Sequence, residues 1–342
     1  MNRIVVLSLA LVMVFNAGAI AYSGGNGSAS APYEISTAED LFNLSQESSD
    51  WSSHFIVTSD LDLSGFPDIT IGDSGTPFTG SFDGGTSSGG LTVLGGYIYQ
   101  KGYEISGLST TGEGLFGVIG AGGEVKNILL VDPLVQAGDS TDNVGAVCGE
   151  NDGGSILDCS AVKSEFADPN TVNVSGDDSI GGICGYNSGG TITGCFSSVN
   201  IEGDSMVGGI IGEQKNSSQI SESASAGVLN AGSSFSSKAG GIVGENSNSD
   251  ILNCYSFAEI KGPRYTGGII GSNTSGTIAQ CYWAGPSLSF DLYGGGVVGD
   301  RSSGAFSGCL FDNTKGEGLT GVGSGASVGI EGKTNEQLRQ YD

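Results

Sequence analysis

Between residues 145 and 299 the chain returns six times to one short phrase, a glycine, a second glycine or alanine, two apolar residues and a closing glycine. The copies are Gly145-Ala146-Val147-Cys148-Gly149, Gly181-Gly182-Ile183-Cys184-Gly185, Gly208-Gly209-Ile210-Ile211-Gly212, Gly240-Gly241-Ile242-Val243-Gly244, Gly267-Gly268-Ile269-Ile270-Gly271 and Gly295-Gly296-Val297-Val298-Gly299. Their starts lie 36, 27, 32, 27 and 28 residues apart. Gly114-Leu115-Phe116-Gly117 is a weaker forerunner. A period of this length is too short to bury a core alone, so the units must stack.

Each copy continues alike. A polar turn follows, then an apolar residue seven positions after the closing glycine (Ile156, Ile192, Ile251, Ile278, Phe306). Ten positions after that glycine stands a cysteine: Cys159, Cys195, Cys254, Cys281, Cys309. In the copy at Gly208, Ile220 and Ser223 take these places; in the weak copy, Val125 and Ile128 do. A third apolar burst closes the unit, as at Val199 and Ile201. The expected unit is therefore a coil of three short strands, stacking in parallel at about 4.8 Å per layer. Parallel crossovers are right-handed in nearly all proteins. The fold class expected is all-β, a right-handed parallel β-helix, or solenoid. The leucine-rich signature is absent, and propeller blades are longer than these units.

Composition agrees. Glycine supplies 62 of 342 residues but shows no three-residue period, which excludes collagen. Recurrent Val, Ile, Leu and Phe argue against disorder. Twelve Lys and Arg against 37 Asp and Glu leave a formal charge of −25, so no nucleic-acid partner is expected. The seven cysteines read as an interior ladder of free thiols: five share one repeat position with Ile128 and Ser223, and Cys148 and Cys184 replace aliphatic residues. A bridge between neighbouring layers, Cys148–Cys184 or Cys159–Cys195, is the alternative.

Arg3, the apolar run Ile4 to Phe15 and the small residues Ala17, Ala19 and Ala21 predict a signal peptide over residues 1–21. The apolar run is too short to span a bilayer, and no later segment is apolar enough to be a transmembrane segment of the mature chain. The expected compartment is extracellular, either secreted or at the cell surface. Residues 22–34 read as a linker. Residues 35–110 read as an N-terminal cap and first coils, with an insertion near 86–102. Ser36-Thr37-Ala38-Glu39-Asp40 begins a short capping helix carrying Leu41, Phe42 and Leu44 on one face. Residues 111–325 hold the repeats. Residues 326–342 read as a thin C-terminal cap anchored by Leu338, or as a truncated end.

The copies Gly181-Gly182-Ile183-Cys184-Gly185-Tyr186-Asn187-Ser188-Gly189-Gly190-Thr191-Ile192 and Gly240-Gly241-Ile242-Val243-Gly244-Glu245-Asn246-Ser247 resemble the GLUG motif. The leader is similar to what precedes such repeats: Pro32-Tyr33-Glu34-Ile35-Ser36-Thr37, Asp60-Leu61-Asp62-Leu63-Ser64-Gly65 and Phe82-Asp83-Gly84. The resemblance runs over about residues 32 to 336. It implies a surface or secreted repeat region of the kind found in bacterial and archaeal adhesin-like proteins. Such repeats also accompany immunoglobulin-cleaving metallopeptidases, which depend on a His-Glu-x-x-His zinc site. This chain has one histidine, His54, so that activity does not carry over.

The chain is expected to be non-enzymatic, and no catalytic residue is assigned. A carbohydrate-active β-helix enzyme, lyase or hydrolase, is the alternative, and the repeat region of a larger surface protein is a third reading. The lyase and hydrolase chemistries need convergent carboxylates or a calcium beside a basic residue. Asp177 with Asp178, and Asp60 with Asp62, are the nearest candidates, and turn stabilisation is the plainer role for each. Gly-Asp and Asn-Asp turns such as Asn151-Asp152-Gly153 and Gly176-Asp177-Asp178 offer oxygen ligands to calcium. They lack the repeated calcium signature, so no cofactor and no metal site is expected, with calcium held at such turns as the alternative. The residues following the ladder position turn outward if the ladder points in. Among them, Phe196, Tyr255, Tyr282 and the neighbouring Trp283 are the candidate ligand-binding residues, aromatic platforms for a polysaccharide or a surface glycoprotein. Cross-strand packing between rungs is the simpler reading of the same rings.

Overall fold

The computed structural model describes residues 22–86, 91–94, 97–100, 102–234, 236–315 and 318–338. The chain is an all-β parallel solenoid of about nine turns with few helices. One turn passes through Val144–Gly145, Cys148–Asp152, Ser155–Leu157, Ser160–Val162 and Val174–Ser175. Each segment pairs in parallel with its counterpart one turn on, and these stacks are named sheets I to V in that order. Among the described residues they hold six, eight, ten, ten and seven strands.

A turn thus carries five short strands, where the apolar bursts predict three. The bursts are there, but two are folded at a corner. Sheets I and II meet within the repeated phrase itself. Sheets III and IV meet at a residue with left-handed backbone, which recurs turn after turn as Asn127, Asp158, Gly194, Glu222, Asn253, Gln280 and Gly308. Left-handed backbone favours Gly, Asn and Asp, which fill five of these seven positions.

The interior is built from vertical columns. Phe55, Phe82, Val125, Ile156, Ile192, Ile220, Ile251, Ile278 and Phe306 are register partners along sheet III, and all are buried. The seven cysteines are free and buried, with Cys148 directly beside Cys184 across sheet II. Each thiol at the ladder position reaches the carbonyl two residues before it, as Cys281 Sγ does with Ala279 O at 3.3 Å.

The paired glycines have a steric cause. A Cβ on Gly208 would lie 1.8 Å from the carbonyl oxygen of Ile211. One on Gly268 would lie 2.5 Å from Cγ of Trp283. Any larger residue would force the turn open.

A second column lies inside sheet II, two residues beyond each closing glycine: Asn151, Asn187, Gln214, Asn246 and Asn273, all fully buried. Asn151 donates to Asn187 at 3.0 Å. Gln214 donates to Asn246 at 2.8 Å, and Asn246 to Asn273 at 2.7 Å. These amides also satisfy turn carbonyls, as Asn246 does with Ser249 O and Ser275 O, both at 3.0 Å. At the next position Arg301 ends the column by donating to the carbonyls of Gly304, Ala326 and Val328.

The helix Ala38–Gln46 starts with a capping box in which Thr37 and Asp40 exchange hydrogen bonds, and it lays Leu41 and Leu44 into the core. Residues 22–34 are not the linker expected. Gly24 bridges to Glu34, Tyr33–Ile35 joins sheet III beside His54–Val57, and Tyr22 packs against Tyr33 with ring centroids 4.5 Å apart and planes tilted by 41°. Tyr22 also donates to Asp50 at 2.9 Å, so the rings of Tyr22, Tyr33 and Phe55 bind this segment to the first turn. Within the expected insertion, Leu91–Leu94 and Tyr97–Gln100 form an antiparallel hairpin. At the far end Ile330–Lys333 pairs with Cys309–Asp312, and a short helix, Asn335–Leu338, buries Leu338. The signal-peptide reading falls on residues 1–21, outside the described residues.

Candidate functional site

The outward positions of sheet IV form one register column: Leu129, Ser160, Phe196, Ala224, Tyr255, Tyr282 and Leu310. Two-residue alternation brings this about, because the preceding ladder residue points inward. Along the column the exposure changes. Leu129 and Val162 are buried, and the half-buried Phe196 packs against them. Ala224 separates Phe196 from the two tyrosines.

Tyr255 and Tyr282 stack across adjacent turns with ring centroids 5.4 Å apart and planes 11° from parallel. Phe257 meets both edge-on, at 5.6 and 6.0 Å. Such contacts fix ring orientation as well as adding stability. Tyr255 remains 38% exposed, which is unusual here for a large apolar side chain. Beside the pair lies a cavity of about 470 Å³ lined by Gln280, Tyr282, Leu310 and Glu331. An apolar ring face thus stands next to an amide and a carboxylate, so the cavity offers both a stacking surface and hydrogen-bonding groups.

Trp283 corrects the sequence reading. It is fully buried, its indole Nε1 donates to Ala258 O at 3.3 Å, and its ring fills the space over Gly268. Tyr282 faces out, so its chain neighbour must face in. Trp283 offers no ring to a ligand.

The carboxylates read from sequence sit among backbone amides, a serine hydroxyl and other acids. Asp60 accepts from the Glu104 amide at 2.9 Å, and Asp62 accepts from the Ser64 amide at 3.0 Å. The latter bond holds the Asp62 carboxyl below its ordinary range. Asp62 therefore holds its own local turn, while Asp60 ties one coil to the next. Asp178 is pushed up by burial and by Asp142, Asp177 and Asp204 around it. Asp139, Asp177, Glu202 and Asp204 line an acidic cleft of about 540 Å³ between sheets V and I. Among the described residues no group of three His, Cys, Asp or Glu side chains is arranged to hold a metal ion. Elsewhere, Glu113 is raised by burial and then by Asp73, and Glu150 by burial and then by Asp152 and Glu113. Sequence reasoning missed this pair, because the two residues meet only through the stacking of turns.

Residues 176–202 match the family model of the GLUG motif. The chain is 31% identical over 137 residues to halomucin of Haloquadratum walsbyi, a match that covers 39% of this chain and 1% of halomucin. It is 31% identical over 140 residues to a protein of Evansella cellulosilytica named as a Gly-rich membrane protein, covering 39% of this chain and 15% of that one. The matched stretch is thus a small part of both curated relatives. Among solved structures, a Bacteroides ovatus protein named as an immunoglobulin A1 protease aligns over 79% of this chain and 85% of its own. The identity is 17% and the TM-score 0.44, and no residue or activity is transferred from it. No helix among the described residues is long and apolar enough to cross a membrane.

Proposed function

We propose that this is a non-catalytic, adhesin-like surface or secreted protein whose solenoid holds a neutral glycan of a polysaccharide or surface glycoprotein on its sheet IV stripe. The observation that carries this reading is the stacked, partly exposed Tyr255–Tyr282 pair beside the cavity of Gln280, Leu310 and Glu331. The GLUG motif and the membrane-protein name of one relative support the surface setting. In this reading the coil is right-handed, residues 35–110 and 111–325 form one continuous stack, and the helix Ala38–Gln46 closes its first turn. The formal charge of −25 favours a neutral ligand over a polyanion.

The test is retention of the protein on immobilised polysaccharides and matrix glycoproteins, with calcium and with chelator. Selective retention, lost in a folded Tyr255→Ser/Tyr282→Ser double variant, is expected. Retention unchanged by that variant would sink the platform.

A carbohydrate-active enzyme is the second reading, and its candidate groups are the half-buried carboxylates Glu113 and Glu150, brought together where adjacent turns stack. Release of reducing ends from a retained polysaccharide, abolished by Glu150→Gln, would establish it. The small share of the relatives' length matched here favours a third setting, in which the solenoid serves as one region of a longer surface protein.

A further inference from the structure

A second tyrosine pair occupies the same two turns on another side of the coil. Tyr265 opens the sheet I strand Tyr265–Gly267, Tyr293 holds the equivalent position one turn on, and their rings stack 5.4 Å apart and 16° from parallel. Sheet V separates them along the chain from the Tyr255–Tyr282 pair on sheet IV. Arg264 lies 4.8 Å from the centre of the Tyr265 ring and braces it.

Three features mark this pair as more than packing. Tyr293 has a left-handed backbone, φ +55°, at the repeat position where Asn143 and Ser179 adopt the same conformation. Asn is at home there; a bulky ring is not. The strain is not offset by burial, since Tyr293 remains 42% exposed. Phe290 and Leu292, in the same loop, are 42% and 52% exposed, so three of the six exposed large hydrophobics among the described residues crowd into four positions. Alongside runs a cleft of about 360 Å³ lined by Asn230, Lys261, Ser289, Phe290 and Asp291. Apolar ring faces with amide, hydroxyl and charged groups at their edge repeat the chemistry found on sheet IV.

We propose that Tyr293, backed by Tyr265 and flanked by Phe290, forms a second site for a neutral sugar ring, so that one molecule holds two polysaccharide strands at once. This rests on the glycan-binding reading of the sheet IV stripe and extends it from attachment to cross-linking.

The experiment uses the full chain in native gels cast with dextran, laminarin, mannan or xyloglucan. Stoichiometry is then measured by calorimetry with a hexasaccharide of whichever polymer retards it. The variants are Tyr282→Ser, Tyr293→Asn and the double variant. Asparagine keeps the left-handed turn and removes the ring, so Tyr293→Asn should melt no lower than the parent, and Tyr293→Phe should bind like it. Two sites in the parent, one in each single variant and none in the double are expected, with the parent alone making dilute polymer turbid. A single site lost in Tyr282→Ser and intact in Tyr293→Asn would overturn the second site while leaving the first. A single site with the opposite pattern would overturn the two-strand arrangement and the sheet IV reading. No retardation in any gel would overturn both. Unchanged sugar binding in Tyr293→Asn, together with a shift from dimer to monomer in sedimentation, would make this loop a contact between copies and overturn the site.

Discussion

Asn246 donates to Asn273 across one turn at 2.7 Å, and both side chains are wholly shut off from water. Asn246 is also the acceptor for Gln214, so truncating it breaks the column in both directions. Asn246→Ala should cost about 3 kcal/mol, mostly from the polar groups left buried without partners. Denaturant titration checks this. A loss under about 1 kcal/mol would mean that the amides contribute little beyond filling space.

Gly268 sits against the Trp283 ring, and a methyl there has nowhere to go. Gly268→Ala should destabilise by about 2 kcal/mol. The added methyl would also lie 2.2 Å from the carbonyl oxygen of Gly296, so a Gly268→Ala/Trp283→Ser double variant should not recover the loss. Ser197, Ser225 and Ser256 hold the Trp283 position in earlier turns, and each still faces a glycine. Thermal melts check this: a double variant more stable than Gly268→Ala would show that the ring alone excludes the methyl.

Burial pushes the thiols of Cys148, Cys159 and Cys281 well above their ordinary range, and Cys281 and burial together do the same to Cys309. A thiol that cannot ionise does not react. The native protein should therefore resist a disulfide-exchange reagent at neutral pH, and all seven cysteines should titrate at once on unfolding. Fast labelling of any one in the native state would show that its turn opens.

Glu113, Glu150 and Asp178 all hold their protons more tightly folded than unfolded, chiefly because they are part-buried. The native state therefore binds more protons than the unfolded state in this window, so stability falls as pH rises. Read downward, stability grows as pH drops through the folded values and is complete below the unfolded ones, near about 4. Relief of the −25 charge acts in the same direction. The melting midpoint should rise as pH is lowered from neutrality toward the ordinary carboxylate range at about pH 4, opposite to the usual behaviour of salt-bridged carboxylates. A midpoint that falls over that interval would contradict the burial of these groups.

Most of the architecture is legible in the repeated glycine phrase, because the features that demand it are local and recur every turn. The inward Ile and Cys positions are read correctly since each is set by its distance from the closing glycine. The amide column shows in the same phrase as Gly-x-Asn, yet it looks like turn chemistry until the turns are stacked, when Asn151, Asn187, Asn246 and Asn273 prove to point inward. Trp283 is misplaced because the alternation that turns Tyr282 outward after the inward Cys281 is not carried one residue further, to turn Trp283 back in. The Tyr265–Tyr293 pair escapes for another reason. The two residues are 28 apart and belong to no conspicuous motif, and only register makes them neighbours.

The hydrogen bonds between turns run along the solenoid axis. A load drawn between the two ends therefore pulls in line with them and bears on one ring of bonds at a time. When a ring parts, the turn from Gly181 to Gly208 frees 27 residues, roughly 90 Å of extended chain. The next ring then takes the strain. A molecule wound in this way should lengthen in steps under tension, dissipating work at each one.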